Sequence, residues 1–163
     1  MNVFKHGFLL FIFLFIFWVL LAGTDTQELI AGFIVSLLIT LIFSKTAILS
    51  EFKLSPKSII YALFYPLMLA WELVKSNFDV AFRVLNPKLP INPGIVKVKT
   101  KLQSRMGRIF LANSITLTPG TFTVETKGED YYIHWIYVTS ENIEDTTKEI
   151  ISKFEKYLEV MFG

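Results

Sequence analysis

Between Phe8 and Ala22 the chain reads FLLFIFLFIFWVLLA, an uncharged run in which thirteen residues are Leu, Ile, Phe or Val. Those side chains contribute roughly −4 to −8 kcal/mol toward membrane insertion, with no charge to oppose them. The segment is therefore read as a membrane span. A cleaved secretory leader is the competing reading, because Lys5 and His6 precede the run and Ala22 could sit at a cleavage position. Leu20 is too large for the small residue expected two places before such a site, and a second apolar run follows almost at once. From Leu29 to Phe43 that second run holds eleven Leu, Ile, Phe or Val residues and again no charge. Extended from Thr24 to Ser44, it reaches the roughly 20 residues a bilayer requires. Gly32, Ser36 and Thr40 recur every four residues and share one helical face. Small side chains at that spacing let helices approach closely in lipid, although ordinary membrane helices carry them too.

The lysines give an orientation. Gly23 to Glu28, between the two runs, carries Asp25 and Glu28 but no Lys or Arg, whereas the following loop carries Lys45, Lys53 and Lys57. Positive loops stay in the cytoplasm, so the N-terminus and the second loop are expected inside and the acidic hairpin tip outside. The third apolar segment, Ile59 to Trp71, contains six Leu, Ile or Phe residues, is interrupted by Pro66 and runs into Glu72 and Lys75. Its insertion term is roughly half that of the first run, and one central charge would cost about 2.5–3.5 kcal/mol. If it spanned, Lys88, Lys97, Lys99, Lys101, Arg105 and Arg108 would all be carried outside. An amphipathic or re-entrant third helix over about 58–85 is the expectation. At 3.6 residues per turn, Glu72, Lys75, Ser76, Asp79 and Arg83 fall on one side of it, with Asp79 and Arg83 in the favourable acid-first i,i+4 order. This stripe is either a solvated or headgroup-facing edge, or a buried ion-pair strip at an interface or ion path.

Three prolines in Asn86-Pro87-Lys88-Leu89-Pro90-Ile91-Asn92-Pro93-Gly94 forbid helix, so residues 86–94 read as a linker between a membrane domain at 1–85 and an α/β domain at 95–163. Ile95 to Thr100 alternates as a half-buried strand, with Val96 and Val98 inward and Lys97, Lys99 and Lys101 outward. A helix is predicted over Leu102 to Asn113, where Leu102, Met106, Ile109, Phe110 and Asn113 recur at helical spacing. Thr118-Pro119-Gly120-Thr121 reads as a tight turn in which Gly120 takes positive φ. Thr121 to Glu125 and Tyr131 to Val138 form a hairpin across residues 126–130. Ile143 to Phe162 closes the chain as one amphipathic helix, with Glu141, Glu144 and Asp145 at its positive N-terminal end and Ile143, Ile150, Ile151, Phe154, Leu158 and Met161 on its buried face. The order is β-α-β-β-α, a small open sheet with both helices on one face.

With no cysteine, disulfides, thiolate metal sites and cysteine nucleophiles are excluded. A net charge of +2 with dispersed Lys and Arg does not describe a nucleic-acid surface. His134, near Asp130, would allow a hydrolytic triad to be drawn, but the chain lacks a nucleophile elbow, a phosphate loop and metal-ligand spacing. Neither catalytic residues nor cofactors are expected. The lysine face of the first strand could meet anionic lipid or an acidic partner, although solvated edge lysines are commoner.

From Trp71 to Val124 the chain resembles the E subunit of Mrp-type multisubunit Na⁺/H⁺ antiporters. The resemblance rests on the charged helix WELVKSNFDVAFRVL, the stretch NPKLPINPGIV and, above all, ANSITLTPGT from Ala112 to Thr121. It implies a multi-pass plasma-membrane subunit whose partners are other integral membrane subunits, in an antiporter or in the ion-translocating arm of a membrane-bound hydrogenase-type archaeal respiratory complex. Transport chemistry in such assemblies is assigned to larger subunits. Asn113, Thr118, Pro119 and Gly120 are then fold and docking elements, and Glu72, Lys75, Asp79 and Arg83 are candidate interface or ion-path residues. A freestanding membrane-anchored binding or sensor domain is the alternative from another class, and would require a concave site with convergent polar groups.

Overall fold

The computed structural model describes residues 3–43, 51–140 and 142–163, without the side chains of residues 3–6. Ser44, Lys45 and Glu141, and the side chains of Lys5 and His6, lie outside the described residues. The chain forms two compact units, Met1–Phe52 and Lys53–Gly163.

In the first unit, helix α1 (Val3–Ala22) and helix α2 (Thr26–Phe43) pack together as a hairpin. Gly23, at φ +95°, stops α1 in the left-handed conformation that only glycine adopts without strain, its N–H donating to the Val19 carbonyl at 3.0 Å. Buried positions on α2 are Gly32, Ser36 and Thr40, the small residues that share a face. Gly32 is required at the crossing, because a Cβ there would collide with the Trp18 indole. Phe33 packs edge-on against Phe11 at 5.3 Å, while Phe13, Leu20, Leu41 and Ile42 point outward. An apolar exterior of this kind suits hydrocarbon rather than water. By length and composition, Thr26–Phe43 is long and apolar enough to cross a membrane, as is Pro56–Leu85 in the second unit; the described apolar part of α1, Gly7–Ala22, is shorter.

The second unit opens with helix α3 (Pro56–Leu85), started by the Ser55 hydroxyl, which accepts the Ser58 N–H at 3.1 Å, and by Pro56 in the first turn. After it come strand β1 (Gly94–Lys99), helix α4 (Arg105–Leu117), strands β2 (Thr121–Lys127) and β3 (Asp130–Trp135), and helices α5 (Ile143–Ile150) and α6 (Ser152–Phe162). The antiparallel sheet has the order β1-β3-β2, so β3 is central. One face sends Val96, Val98, Tyr131 and Ile133 into a core completed by Leu102, Leu111, Ile115, Ile151, Phe154 and Leu158. On the other, His134 stands exposed between Ile95 and Phe122. Burial pushes the Tyr131 phenol up to about 12, and its hydroxyl donates to the Arg108 carbonyl at 3.1 Å.

Several details depart from the sequence reading. α4 begins later than predicted, and its buried face is Gly107, Leu111, Ser114 and Ile115, while Ile109 and Phe110 are partly exposed. The small and polar members are buried because they admit neighbours: a Cβ on Gly107 would lie 3.2 Å from Phe162 Cβ, and Ser114 Oγ lies 2.5 Å from Tyr65 Oη. The closing helix is two helices, bent at the fully buried Ile151. α5 packs on β1 whereas α6 packs on α3 and α4, and the bend allows Ile150 and Ile151 both to be buried. Toward their turn at Gly128 and Glu129 the hairpin strands run further than predicted, with a bulge between Thr123 and Glu125, but the second strand stops at Trp135 rather than Val138. Residues 86–94, read as a linker, are pinned as a strap: Asn92 bridges to Tyr137, its N–H donating to the Ile136 carbonyl at 3.0 Å and its amide to the Val138 carbonyl at 2.9 Å.

Candidate functional site: the charged face of the long helix

Helix α3 has two unlike sides. Ser58, Tyr65, Glu72, Ser76, Asp79 and Arg83 fall within about 60° of one another on the helical wheel. Along that side the rest of the second unit is docked for the helix's full length. The Ser58 hydroxyl donates to the Val160 carbonyl at 2.8 Å, the Tyr61 and Tyr157 rings lie 5.4 Å apart, and Lys153 of α6 pairs with Glu72 at 2.6 Å. α6 therefore runs antiparallel to α3.

The four charges of the stripe have separate tasks. Glu72 is largely covered, its side chain 14% exposed, and its partner is Lys153 of α6. Asp79 and Arg83 make the i,i+4 pair expected from their spacing, Arg83 Nε donating at 2.8 Å and Nη2 at 3.2 Å. That pair alone contributes about 0.3–0.5 kcal/mol. Arg83 does more than pair, because its Nη1 donates to the Pro90 carbonyl at 2.9 Å and its guanidinium lies 4.2 Å from the Tyr137 ring centre. It fastens the strap and the residues just after β3 to the helix. Lys75 is exposed.

The turn expected at Thr118 to Thr121 stands opposite this stripe. The Thr118 hydroxyl donates to the Ser114 carbonyl at 2.8 Å, closing α4, and the Thr121 hydroxyl donates to the carbonyls of Ile115 at 2.7 Å and Thr118 at 2.9 Å. Gly120 has φ +87°, and a Cβ there would meet Ile136 Cγ2 at 2.9 Å and Val80 Cγ2 at 3.5 Å. Asn113, grouped with this turn in the sequence reading, is an exposed residue of α4; its neighbour Ser114 takes the inward position because its small hydroxyl fits against Tyr65.

Between the stripe, the turn and the end of β3 lies a cavity of about 570 Å³ that Glu149 and Lys153 also line. It brings together Glu72, Lys75, Asp79, Arg83, Thr118, Pro119 and Gly120, which the sequence reading had named as two separate groups. Lys153, Tyr137 and Tyr65 were missed. Lys153 and Tyr137 carry no local signal, whereas Tyr65 falls on the side of an otherwise apolar helix that also holds Ser58, Glu72 and Arg83. Among the described residues no group of three or more His, Cys, Asp or Glu side chains gathers as metal ligands would.

The chain is similar to known proteins along most of its length. The chain is 39% identical over 85 residues to the E subunit of the Na⁺/H⁺ antiporter of Alkalihalophilus pseudofirmus, a match covering 52% of this chain and 54% of that one. It is 33% identical over 155 residues to the Na⁺/H⁺ antiporter E subunit of Bacillus subtilis, covering 93% and 94% of the two chains. A chain in the structure of the membrane-bound sulfane sulfur reductase, an archaeal respiratory membrane complex, superposes with a TM-score of 0.79 and 43% identity, covering 94% of this chain and 96% of that one. A family model for a Na⁺/H⁺ ion antiporter subunit matches residues 11–161. On that coverage, the chain belongs to the family of Na⁺/H⁺ antiporter E subunits.

Proposed function

We propose that the chain is a non-catalytic membrane subunit of an assembly that couples Na⁺ and proton movement, and that its second unit serves as a docking and bracing element. The observation that carries this is alignment along nearly the whole chain both with an antiporter subunit and with a chain of a respiratory membrane complex. Of these hosts the respiratory one is favoured by the higher identity, 43%. Glu72 and Asp79 each have a cationic partner, Lys153 and Arg83, and a carboxylate held that way suits bracing better than a proton relay. A freestanding membrane-anchored binding domain has the cavity in its favour. Mild-detergent purification of the tagged chain should bring down other integral membrane subunits. Iron–sulfur or redox subunits among them identify the respiratory host, antiporter-like subunits alone identify an antiporter, and a monodisperse single chain overturns the proposal.

The proposed topology has the N-terminus, the loop before α3 and the sheet domain in the cytoplasm, with α1 and α2 crossing the membrane and α3 not crossing it. Lysine asymmetry supports the orientation. Docking of a charged, loop-bearing domain along α3 from Ser58 to Arg83 supports the last point, since a spanning α3 would carry exposed loops into hydrocarbon. Because the chain has no cysteine, single cysteines at Asp25, Lys53 and Lys127 report cleanly. With an impermeant thiol reagent on intact cells only Asp25→Cys should label, and labelling of Lys127→Cys would reverse the topology.

A further inference from the structure

The side of α3 turned away from the sheet domain has no partner within its own unit. Leu63, Leu67, Trp71, Val74, Phe78 and Phe82 lie within about 100° of arc, and all are exposed, Leu63 by 72% and Phe82 by 70%. No Asp, Glu, Lys or Arg falls in this arc, which follows a helix about 45 Å long at 1.5 Å per residue. A stripe of that length facing water would be an aggregation hazard.

We propose that this face lies in the plane of the membrane surface, its occupant the boundary between headgroups and acyl chains of the cytoplasmic leaflet. Resting on the non-crossing placement of α3 proposed above, the inference adds what covers the helix. Three observations select lipid over another protein. The opposite side of the helix is covered by a polar domain along its whole length, the arrangement of a helix lying on a surface. Lys57 and Lys75 are both exposed and share one angular margin of the stripe, where anionic headgroups would meet them. Trp71 stands within the stripe, and indole favours the interfacial layer. Lipid needs no matching knobs and holes, and on this face of α3 large side chains outnumber the small residue Ala81, unlike the faces by which membrane helices approach one another.

Nitroxide labels on single cysteines at Leu63, Leu67, Val74 and Phe78, in the full chain reconstituted into vesicles of phosphatidylethanolamine and phosphatidylglycerol, test this through collision with oxygen and with a water-soluble nickel chelate. All four should report one shallow level, about 5–10 Å below the headgroups. A depth that increases steadily from one end of the helix to the bilayer centre would overturn both this proposal and the non-crossing placement. Full access to the nickel chelate would overturn the lipid contact and leave the family role standing. Protection from both reagents would assign the face to a protein neighbour, overturning the proposal while subunit co-purification still tests the assembly independently.

Discussion

Gly120→Val is expected to lower the stability of the sheet domain by about 3 kcal/mol, from two costs that act at one atom. Gly120 has φ +87°, a region that a β-branched residue occupies only with strain, and any Cβ would stand 2.9 Å from Ile136 Cγ2. The Gly120 carbonyl also accepts the Ile136 N–H at 2.8 Å, so the turn cannot retreat without loosening the end of β3. Thermal unfolding of the full chain in detergent, followed by near-ultraviolet circular dichroism, should show Tm lowered by roughly 10 °C. Comparison of Gly120→Ala with Gly120→Ala in an Ile136→Ala background separates the costs, because the second change removes the collision and leaves the backbone strain. An unchanged Tm in Gly120→Val would reject this geometry for the turn.

Glu155→Ala should cost about 3 kcal/mol, by removing the acceptor of two short hydrogen bonds at a buried site. Only 9% of Glu155 is exposed, and its Oε1 accepts the Thr100 hydroxyl and the Lys101 N–H, both at 2.6 Å. The Thr100 oxygen in turn accepts the Leu102 N–H at 3.2 Å, so a single carboxylate oxygen on α6 organises the crossing from β1 to α4. Glu155→Gln keeps an acceptor at that place and should lose clearly less than the alanine variant in the same unfolding measurement. Equal losses in both would mean that the charge, rather than the hydrogen-bond geometry, holds the loop.

What could be read from the sequence was what one stretch of chain decides by itself. α1 and α2 declare themselves through uninterrupted apolar composition, and the buried trio Gly32, Ser36 and Thr40 through its spacing. The strap shows its prolines and the turn its Pro-Gly pair. Pairings across long distances were hidden, such as Lys153 with Glu72, 81 positions apart, because a lysine on an amphipathic helix looks the same whether or not a carboxylate awaits it. Gly107 and Ser114 were overlooked for a different reason. They are buried for being small enough to admit a neighbour, and hydrophobic periodicity does not count such residues. The stripe from Glu72 to Arg83 was visible as a pattern, yet its division into one link to α6, one pair along the helix and one clamp on the strap needed the fold.

The antiparallel seating of α6 on α3 also sets a timetable for synthesis. Ser58 and its Val160 partner are 102 positions apart, so at translation rates of about 5–20 residues per second the first half of this seam waits on the order of 5–20 s for the second. During that interval Tyr65, Glu72 and Arg83 lack the neighbours that later cover them, and both sides of α3 are open to the surroundings. An early landing of the helix on the bilayer surface proposed for it would keep its apolar side out of reach of other unfinished chains while the sheet is made.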